Sequence, residues 1–160
     1  MSSREAKEKY MGIAVREAYR GVAGNAGGPF GAVIVKDGEV IARGHNRVVR
    51  AKDPTAHAEI VAIRRASKKL GRFDLSDCEI YSTCEPCPMC LAAILWAKIP
   101  RVYFGCTKED AAKIGFADEA IDKALKGRKV GRRFRMVPMA REACLKLFAL
   151  WQNKSNRVLY

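Results

Sequence analysis

The sequence predicts a three-layer α/β/α sandwich built around a mixed, mostly five-stranded sheet. Two observations lead to this fold class. Segments with strand patterns alternate with segments of helical periodicity along most of the chain, which is typical of α/β layers. The first two strands are joined by a short turn, so they form an antiparallel hairpin and make the sheet mixed. With 160 residues, of which 49% are hydrophobic, residues 1–160 fit a single domain.

The first elements have the clearest boundaries. Apolar residues at helical spacing predict a helix from about residue 5 to residue 24, where glycines end it. Residues 30–35 and 40–42 are predicted strands on either side of Asp37-Gly38, which is a strong hairpin signal.

The later elements continue the alternation. Asp53 followed by Pro54 is typical of an N-cap with proline in the first turn, and it predicts a helix over residues 54–70. Next we expect a strand over 79–83, a helix over 88–97 and a strand over 101–106. Beyond that point the pattern is weaker, and it predicts a helix over 119–125, a strand over 133–137 and a helix over 140–153.

Positive charge is concentrated near the C-terminus. The formal net charge is +13, and residues 121–160 carry +9 of it. A basic segment can contact nucleic-acid phosphates, but it is also typical of a solvated surface, and we favour the second interpretation. The basic residues concerned are Lys126, Arg128, Lys129, Arg132, Arg133 and Arg135.

No segment of the sequence suits a membrane or an export signal. The longest apolar run, residues 89–97, is too short to cross a bilayer. Charged residues between positions 4 and 9 do not fit a secretory signal peptide. We therefore expect a cytoplasmic protein with no membrane partner, whose six cysteines are metal ligands or buried thiols rather than disulfides.

Two short motifs predict a catalytic zinc site. His57-Ala58-Glu59 is followed by Pro86-Cys87-Pro88-Met89-Cys90. Zinc prefers imidazole and thiolate ligands, and a catalytic site has three of them plus an open position for water. His57, Cys87 and Cys90 supply such a set, and the predicted helix start at Cys87 favours the thiolate form. The same pair of motifs is found in zinc-dependent nucleobase deaminases.

Glu59 is predicted to carry protons rather than to bind the metal. It follows His57 by only two residues, which is too close for a second ligand on the same helix face. Zinc lowers the pKa of a bound water to about 7, and a neighbouring carboxylate can pass the proton to a leaving amine. A catalytically silent zinc module that binds nucleic acid has no use for this carboxylate, so we disfavour that alternative.

The remaining candidate ligands receive structural interpretations. Cys84, Cys87 and Cys90 have the spacing that begins an iron–sulfur motif, but its fourth position is Ile94. His45 is predicted to be structural. Buried core thiols are predicted for the other cysteines, Cys78, Cys106 and Cys144.

Beyond these motifs, the chain resembles the cytidine deaminase-like superfamily and, within it, the bacterial-type guanine deaminases. The resemblance rests on residues 27–38 (GGPFGAVIVKDG), 53–59 (DPTAHAE) and 84–91 (CEPCPMCL). It implies a zinc-dependent aminohydrolase of purine metabolism that converts guanine to xanthine and ammonia. It also implies a homodimer in which the C-terminal segment, about residues 138–160, is exchanged between subunits.

The resemblance assigns three residues to the substrate, namely Asn46, Asp118 and Tyr160. Of these, Asp118 and Tyr160 could complete the site of the neighbouring subunit. An amide, a carboxylate and a phenol can read the donors and acceptors on the edges of guanine. Phe30 and Trp96 are candidates for the apolar walls of the pocket, with ordinary core aromatics as the alternative.

Two rival substrates stay open. The tRNA adenosine deaminases of this superfamily share the His-Ala-Glu motif and a strand similar to residues 101–105, and the basic C-terminal residues would suit RNA. If Tyr160 closes the pocket, a base carried on a polymer cannot enter easily, which favours a free base. The other rival is a different free amino-heterocycle, such as cytosine, a pterin or an aminated triazine.

Overall fold

A computed structural model describes residues 3–128, 134 and 136–159, and these fall into two compact units. The first unit is Met1–Glu119 and the second is Ala120–Tyr160. Within the described residues, no helix is both long enough and apolar enough to cross a membrane.

The first unit holds the sheet and most of the helices. Its helices are α1 (Ser3–Ala23), α2 (Val48–Ala51), α3 (Ala58–Leu70), α4 (Pro88–Trp96) and α5 (Lys108–Lys113). Its strands are β1 (Gly31–Lys36), β2 (Glu39–His45), β3 (Cys78–Cys84) and β4 (Arg101–Cys106). Every helix and strand predicted before residue 107 is therefore present, and α2 and α5 are additional short helices.

The sheet is mixed, as predicted, but it has four strands rather than five. The strand order is β2-β1-β3-β4, with β1 antiparallel to β2 and β3, and β3 parallel to β4. The prediction of a fifth strand over 133–137 was wrong for the described residues of that range. Phe134, Met136 and Val137 are exposed and not in a strand, so they bury no apolar face against a sheet, while residues 133 and 135 lie outside the described residues.

Helices cover both faces of the sheet, which confirms the three-layer architecture. On one face, Tyr10 and Ala14 of α1 form a core cluster with Val33 and Tyr81 of the central strands. On the opposite face, a second cluster joins buried residues of α3, α4 and the sheet. Its members include Ala58, Ala62, Ile94, Ile34 and Ile80. Successive residues of each central strand thus pack against helices on opposite faces of the sheet, as the two-residue period of a strand requires.

The start of α3 differs from the prediction. The helix begins at Ala58, because the side chain of Asp53 makes a local turn instead of capping a helix. Its Oδ1 accepts hydrogen bonds from the Thr55 backbone N–H at 2.8 Å and from the Thr55 hydroxyl at 2.7 Å. Aspartate favours both helix caps and such turns, and here the turn places His57 at the N-cap position.

The regular elements in the described part of the second unit are helices. Helix α6 (Glu119–Leu125) begins at the boundary of the units, and α7 (Arg141–Gln152) agrees with the predicted helix within one residue at either end. Among the described residues of α6 and α7, none is buried. The exposed apolar side chains of α7 are Leu145, Leu147, Phe148, Leu150 and Trp151.

Candidate metal centre

Three side chains predicted as zinc ligands converge at one point. His57 Nδ1 lies 3.6 Å from Cys87 Sγ and 3.5 Å from Cys90 Sγ. All three ligand atoms lie within 4.8 Å of one another. Bonds of about 2.0–2.3 Å around a tetrahedral ion separate its ligand atoms by about 3.6 Å. The observed distances therefore suit a tetrahedral metal ion with one position left for water.

The starts of two helices position these ligands. His57 is the N-cap residue of α3, so it stands just before the helix and not in its first turns as we expected. Cys87 is the N-cap residue of α4, Pro88 follows it, and Cys90 lies three residues on. In the described structure, neither N-cap side chain makes a capping hydrogen bond. Both side chains instead belong to the group that can hold the metal.

The electrostatics of the group favour a soft cation. The Cys90 thiol, together with His57, lowers the pKa of Cys87 to about 4, so Cys87 is a thiolate at neutral pH. The same contact and burial raise the pKa of Cys90, which keeps its proton in the metal-free protein. The hydrogen bond with Cys87 raises the pKa of His57. Metal binding must therefore displace protons here, as is usual for thiolate sites.

Glu59 lies beside the metal ligands in a buried position, with 5% of its surface exposed. Its Oε1 accepts a hydrogen bond of 2.9 Å from the Ser82 hydroxyl, and its Oε2 lies 3.4 Å from Cys90 Sγ. Burial raises the pKa of Glu59 above its ordinary value. A carboxyl group that holds protons more tightly than usual, beside residues that can hold a metal, is suited to general acid–base chemistry.

Ser82 is a residue that the sequence reasoning missed. It is almost fully buried in β3, and its hydroxyl fixes one oxygen of the Glu59 carboxylate. The sequence does hold a signal for it. A serine within a strand rich in apolar residues is expected to be buried, and a buried hydroxyl needs a hydrogen-bond partner.

Asn46 is held rigidly near the same end of the sheet. It is buried, its backbone N–H donates to the Phe30 carbonyl at 3.0 Å, and its Oδ1 accepts from the Val48 N–H at 3.1 Å. A side chain at Gly27 would collide with Oδ1, so this glycine makes room for the amide. Because Oδ1 faces the Val48 N–H, the Nδ2 group is the one that can donate to a ligand.

Aromatic side chains connect Asn46 with the region of Asp118. The Phe30 ring is half-buried and packs edge-to-face against Phe116, with centroids 5.0 Å apart. Asp118 is partly buried, and its Oδ2 lies 3.8 Å from Lys108 Nζ. The structure thus brings Phe30 together with the segment that carries Asp118, and Phe116 is an aromatic contact that we had not predicted.

Trp96 and Tyr160 are the two other predicted substrate contacts. Trp96, the last residue of α4, keeps 65% of its surface exposed. Tyr160 lies outside the described residues, as do Lys129, Arg132, Arg133 and Arg135 of the basic segment.

The remaining cysteines and His45 do not join the metal centre. Cys78 is buried, as predicted, but Cys106 and Cys144 are exposed, so the prediction of core thiols was wrong for these two. Cys84 lies 3.5 Å from the Thr107 carbonyl and outside the candidate group within the described chain, which argues against an iron–sulfur cluster. His45 Nδ1 lies 3.4 Å from Glu17 Oε2, as a structural role requires.

Comparison with known proteins decides the family. Residues 4–106 match the cytidine and deoxycytidylate deaminase zinc-binding region. The chain belongs to this deaminase family. It is similar to the guanine deaminase of Bacillus subtilis, with 45% identity over 153 residues that cover 96% of this chain and 98% of that protein. The X-ray structure of that enzyme matches with a TM-score of 0.87 and 44% identity, covering 100% of this chain and 99% of the other.

A second group of relatives matches a shorter part of this deaminase. The tRNA-specific adenosine deaminase of Aquifex aeolicus is 46% identical over 98 residues, which cover 61% of this chain and 64% of that protein. Membership of the family confirms the prediction of a zinc-dependent deaminase with a cytidine deaminase-like fold. It also identifies zinc as the metal that the predicted ligands, His57, Cys87 and Cys90, are placed to hold.

Proposed function

We propose that the protein hydrolyses guanine to xanthine and ammonia in the cytoplasm. The observation that carries this proposal is the extent of the similarity. The match to a guanine deaminase spans 96% of the chain, whereas the match to the Aquifex tRNA-specific deaminase covers 61%. The longer match takes in most of the region after residue 106, where two of the three proposed substrate contacts lie.

The chemistry requires a water molecule to replace the exocyclic amine of the purine. When bound, zinc supplies a Lewis acid that lowers the pKa of a coordinated water to about 7. Glu59 takes a proton as the water oxygen bonds to the ring carbon C2, and delivers it to a ring nitrogen. The Glu59 carboxylate then carries the second proton of the water to the amine, which leaves as ammonia. Ser82 holds the carboxylate in position for both transfers.

Recognition of the purine would combine polar readers with an aromatic wall. Asn46 offers its Nδ2 donors, Asp118 an acceptor and Tyr160 a phenol, while Phe30 and Phe116 supply apolar surface. Buried polar groups of this kind are left without partners when a wrong base enters, which makes them selective.

The proposal includes a homodimer that exchanges its C-terminal segments, about residues 138–160. Its support is the composition of α7, an amphipathic helix whose apolar residues are all exposed within the described chain. Such residues are normally covered by another surface, because apolar area is costly to leave in water. A second subunit would cover them, and exchange of the segment would bring Tyr160 to the neighbouring metal centre.

The deciding experiment measures ammonia release from the zinc-loaded protein with guanine, and inosine formation in a tRNA substrate run in parallel. We expect turnover of guanine and none of tRNA, together with an increased KM for guanine in Asn46→Ala. Modified tRNA with inert guanine would refute the proposal. The tRNA reaction is the second candidate because of the 46% identity to a tRNA-specific deaminase and the basic C-terminal segment.

Free-base rivals are tested in the same assay. Cytosine, a pterin and an aminated triazine are compared with guanine at equal concentration. A higher kcat/KM for any of them would keep the zinc chemistry and overturn the choice of guanine.

A further inference from the structure

A cavity of about 320 Å³ lies away from the metal centre, on the face of the sheet covered by α1. It is lined by α1, the turn after β1 and the first halves of β3 and β4. Glu79, in its wall, precedes Ser82, the partner of Glu59, by three positions on β3, which corresponds to about 10 Å of strand. The volume falls within the range of about 300–1,000 Å³ for small-molecule sites. None of the lining residues takes part in the proposed deamination.

The floor of this cavity is a fixed stack of tyrosines. The rings of Tyr81 and Tyr103 are stacked with centroids 4.7 Å apart, and Tyr10 packs against Tyr81 at 5.2 Å. The hydroxyl of Tyr10 donates to the Gly38 carbonyl at 2.6 Å, and that of Tyr81 donates to Glu79 at 2.8 Å. Because the two buried hydroxyls have partners, the stack presents a rigid aromatic surface, with the half-buried Tyr103 on the edge strand.

The walls of the cavity combine two cations with one carboxylate. Lys7 Nζ lies 4.8 Å from the centroid of the Tyr103 ring. Arg101 Nε lies 3.4 Å from Glu79 Oε2, and a guanidinium has five N–H donors, so that it can contact an anion as well as this carboxylate. Lys7 and Arg101 belong to different elements, α1 and β4, and both line the cavity. An anion between them would be held from two sides.

We infer that this cavity binds a nucleoside monophosphate at a second site, separate from the metal centre. The base stacks on Tyr103, a contact that aromatic side chains make with any base. The phosphate lies between Lys7 and Arg101, with the lysine moving from the ring to the anion. Glu79 accepts a hydrogen bond from a ribose hydroxyl or a base N–H. The inference goes beyond the proposed function, and only its competition and folding controls rest on guanine being the base that is deaminated.

The binding test uses the full-length, zinc-loaded Glu59→Gln variant, in which no turnover complicates the measurement. Guanosine monophosphate is titrated by calorimetry, with guanosine and inorganic phosphate as comparators. We expect one bound nucleotide per chain, at least tenfold tighter than either comparator, since the site uses ring and phosphate together. Binding should be unchanged when guanine saturates the metal centre. Equal binding of phosphate alone, or displacement by guanine, would overturn the inference.

Variants locate the site. Tyr103→Leu and Lys7→Ser should each weaken nucleotide binding at least tenfold. The matched control is Lys9→Ser, an exposed lysine of the same helix that does not line the cavity. This control should stay within twofold of the parent. Equal losses for Lys7→Ser and Lys9→Ser would mean that only net charge matters, which refutes the site. The Tyr103→Leu variant is also made with Glu59 retained. Its turnover of guanine shows that the variant folds.

Discussion

The two units of this protein use apolar side chains in opposite ways. In Met1–Glu119, the two faces of the sheet carry fully buried residues, such as Ile34 and Ile80 on one face and Val33 on the other. In the described part of Ala120–Tyr160, no residue is buried, although α7 carries a series of large apolar residues. The first unit therefore has a core of its own, and the second has the composition of an element that needs another surface.

This difference separates two kinds of functional residue. The metal ligands and Glu59 come from elements that pack together within the first unit. Tyr160 comes from the second unit and is assigned to the site through the resemblance. We expect changes in the first unit to remove chemistry within one chain, whereas changes in the second unit should be complemented by another chain.

The largest expected effect is that of Glu59→Gln. Loss of the proton carrier should lower kcat by about 10³-fold, the range typical of general acid–base groups, while bound zinc stays at the parent level. Turnover with guanine and metal content by atomic spectroscopy measure the two quantities. Glu85→Gln is the matched control, because Glu85 lies in the same motif but accepts from the Lys108 N–H. Comparable losses for both variants would contradict the role of Glu59.

The comparison of units is tested by mixing two inactive variants. Glu59→Gln has an intact C-terminal segment, and Tyr160→Ala has an intact metal centre. If segments are exchanged in a dimer, random reassociation of equal amounts should restore about a quarter of the parent activity, since half of the dimers would each have one complete site. Absence of recovery after verified subunit exchange would show that Tyr160 serves its own chain.

A smaller effect is expected from Ser82→Ala. Removing the hydroxyl frees the Glu59 carboxylate to rotate, which should lower kcat about tenfold at unchanged KM. Ser82→Thr keeps a hydroxyl and should retain most of the activity. An increase in KM with constant kcat would instead place Ser82 in substrate binding.

The smallest effect concerns stability of the metal-free protein. Burial raises the pKa of Glu59, so the folded chain binds a proton in a pH range where the unfolded chain does not. The free energy of unfolding should therefore fall as pH rises from the ordinary carboxyl pKa through the raised one. Glu59→Gln removes this slope and should be about 1 kcal/mol more stable at pH 7, with no advantage below pH 4. Urea titrations of the variant and the parent at pH 7 and below pH 4 measure the free energy of unfolding. The same difference between the two proteins at both pH values would contradict the assignment.

The metal centre was predictable because its information is local in sequence. His57, Cys87 and Cys90 stand in two short motifs at predicted helix starts, and the structure places them together. Ser82 was not predictable in the same way, because its contact with Glu59 depends on how β3 packs against α3. The prediction of where α3 begins failed for another reason. Asp53 can cap a helix or close a turn, and only the folded loop selects between them.

The sheet shows a second limit of sequence reasoning. The first four strands carry apolar residues that fit one or both buried faces, and all four were predicted. Residues 133–136 alternate basic and apolar side chains, which is also the pattern of a half-buried strand. Pattern alone cannot tell whether a partner face is present, and the described residues there are exposed.

The placement of metal ligands at helix N-caps has a further consequence. At both positions the side chain that would usually close the first turn is committed to the metal, and a missing cap typically costs about 1 kcal/mol. Loss of zinc should therefore loosen the starts of α3 and α4 before it affects the sheet. Amide hydrogen exchange at residues 59–61 and 89–91 would then report metal occupancy in any preparation, without substrate or turnover.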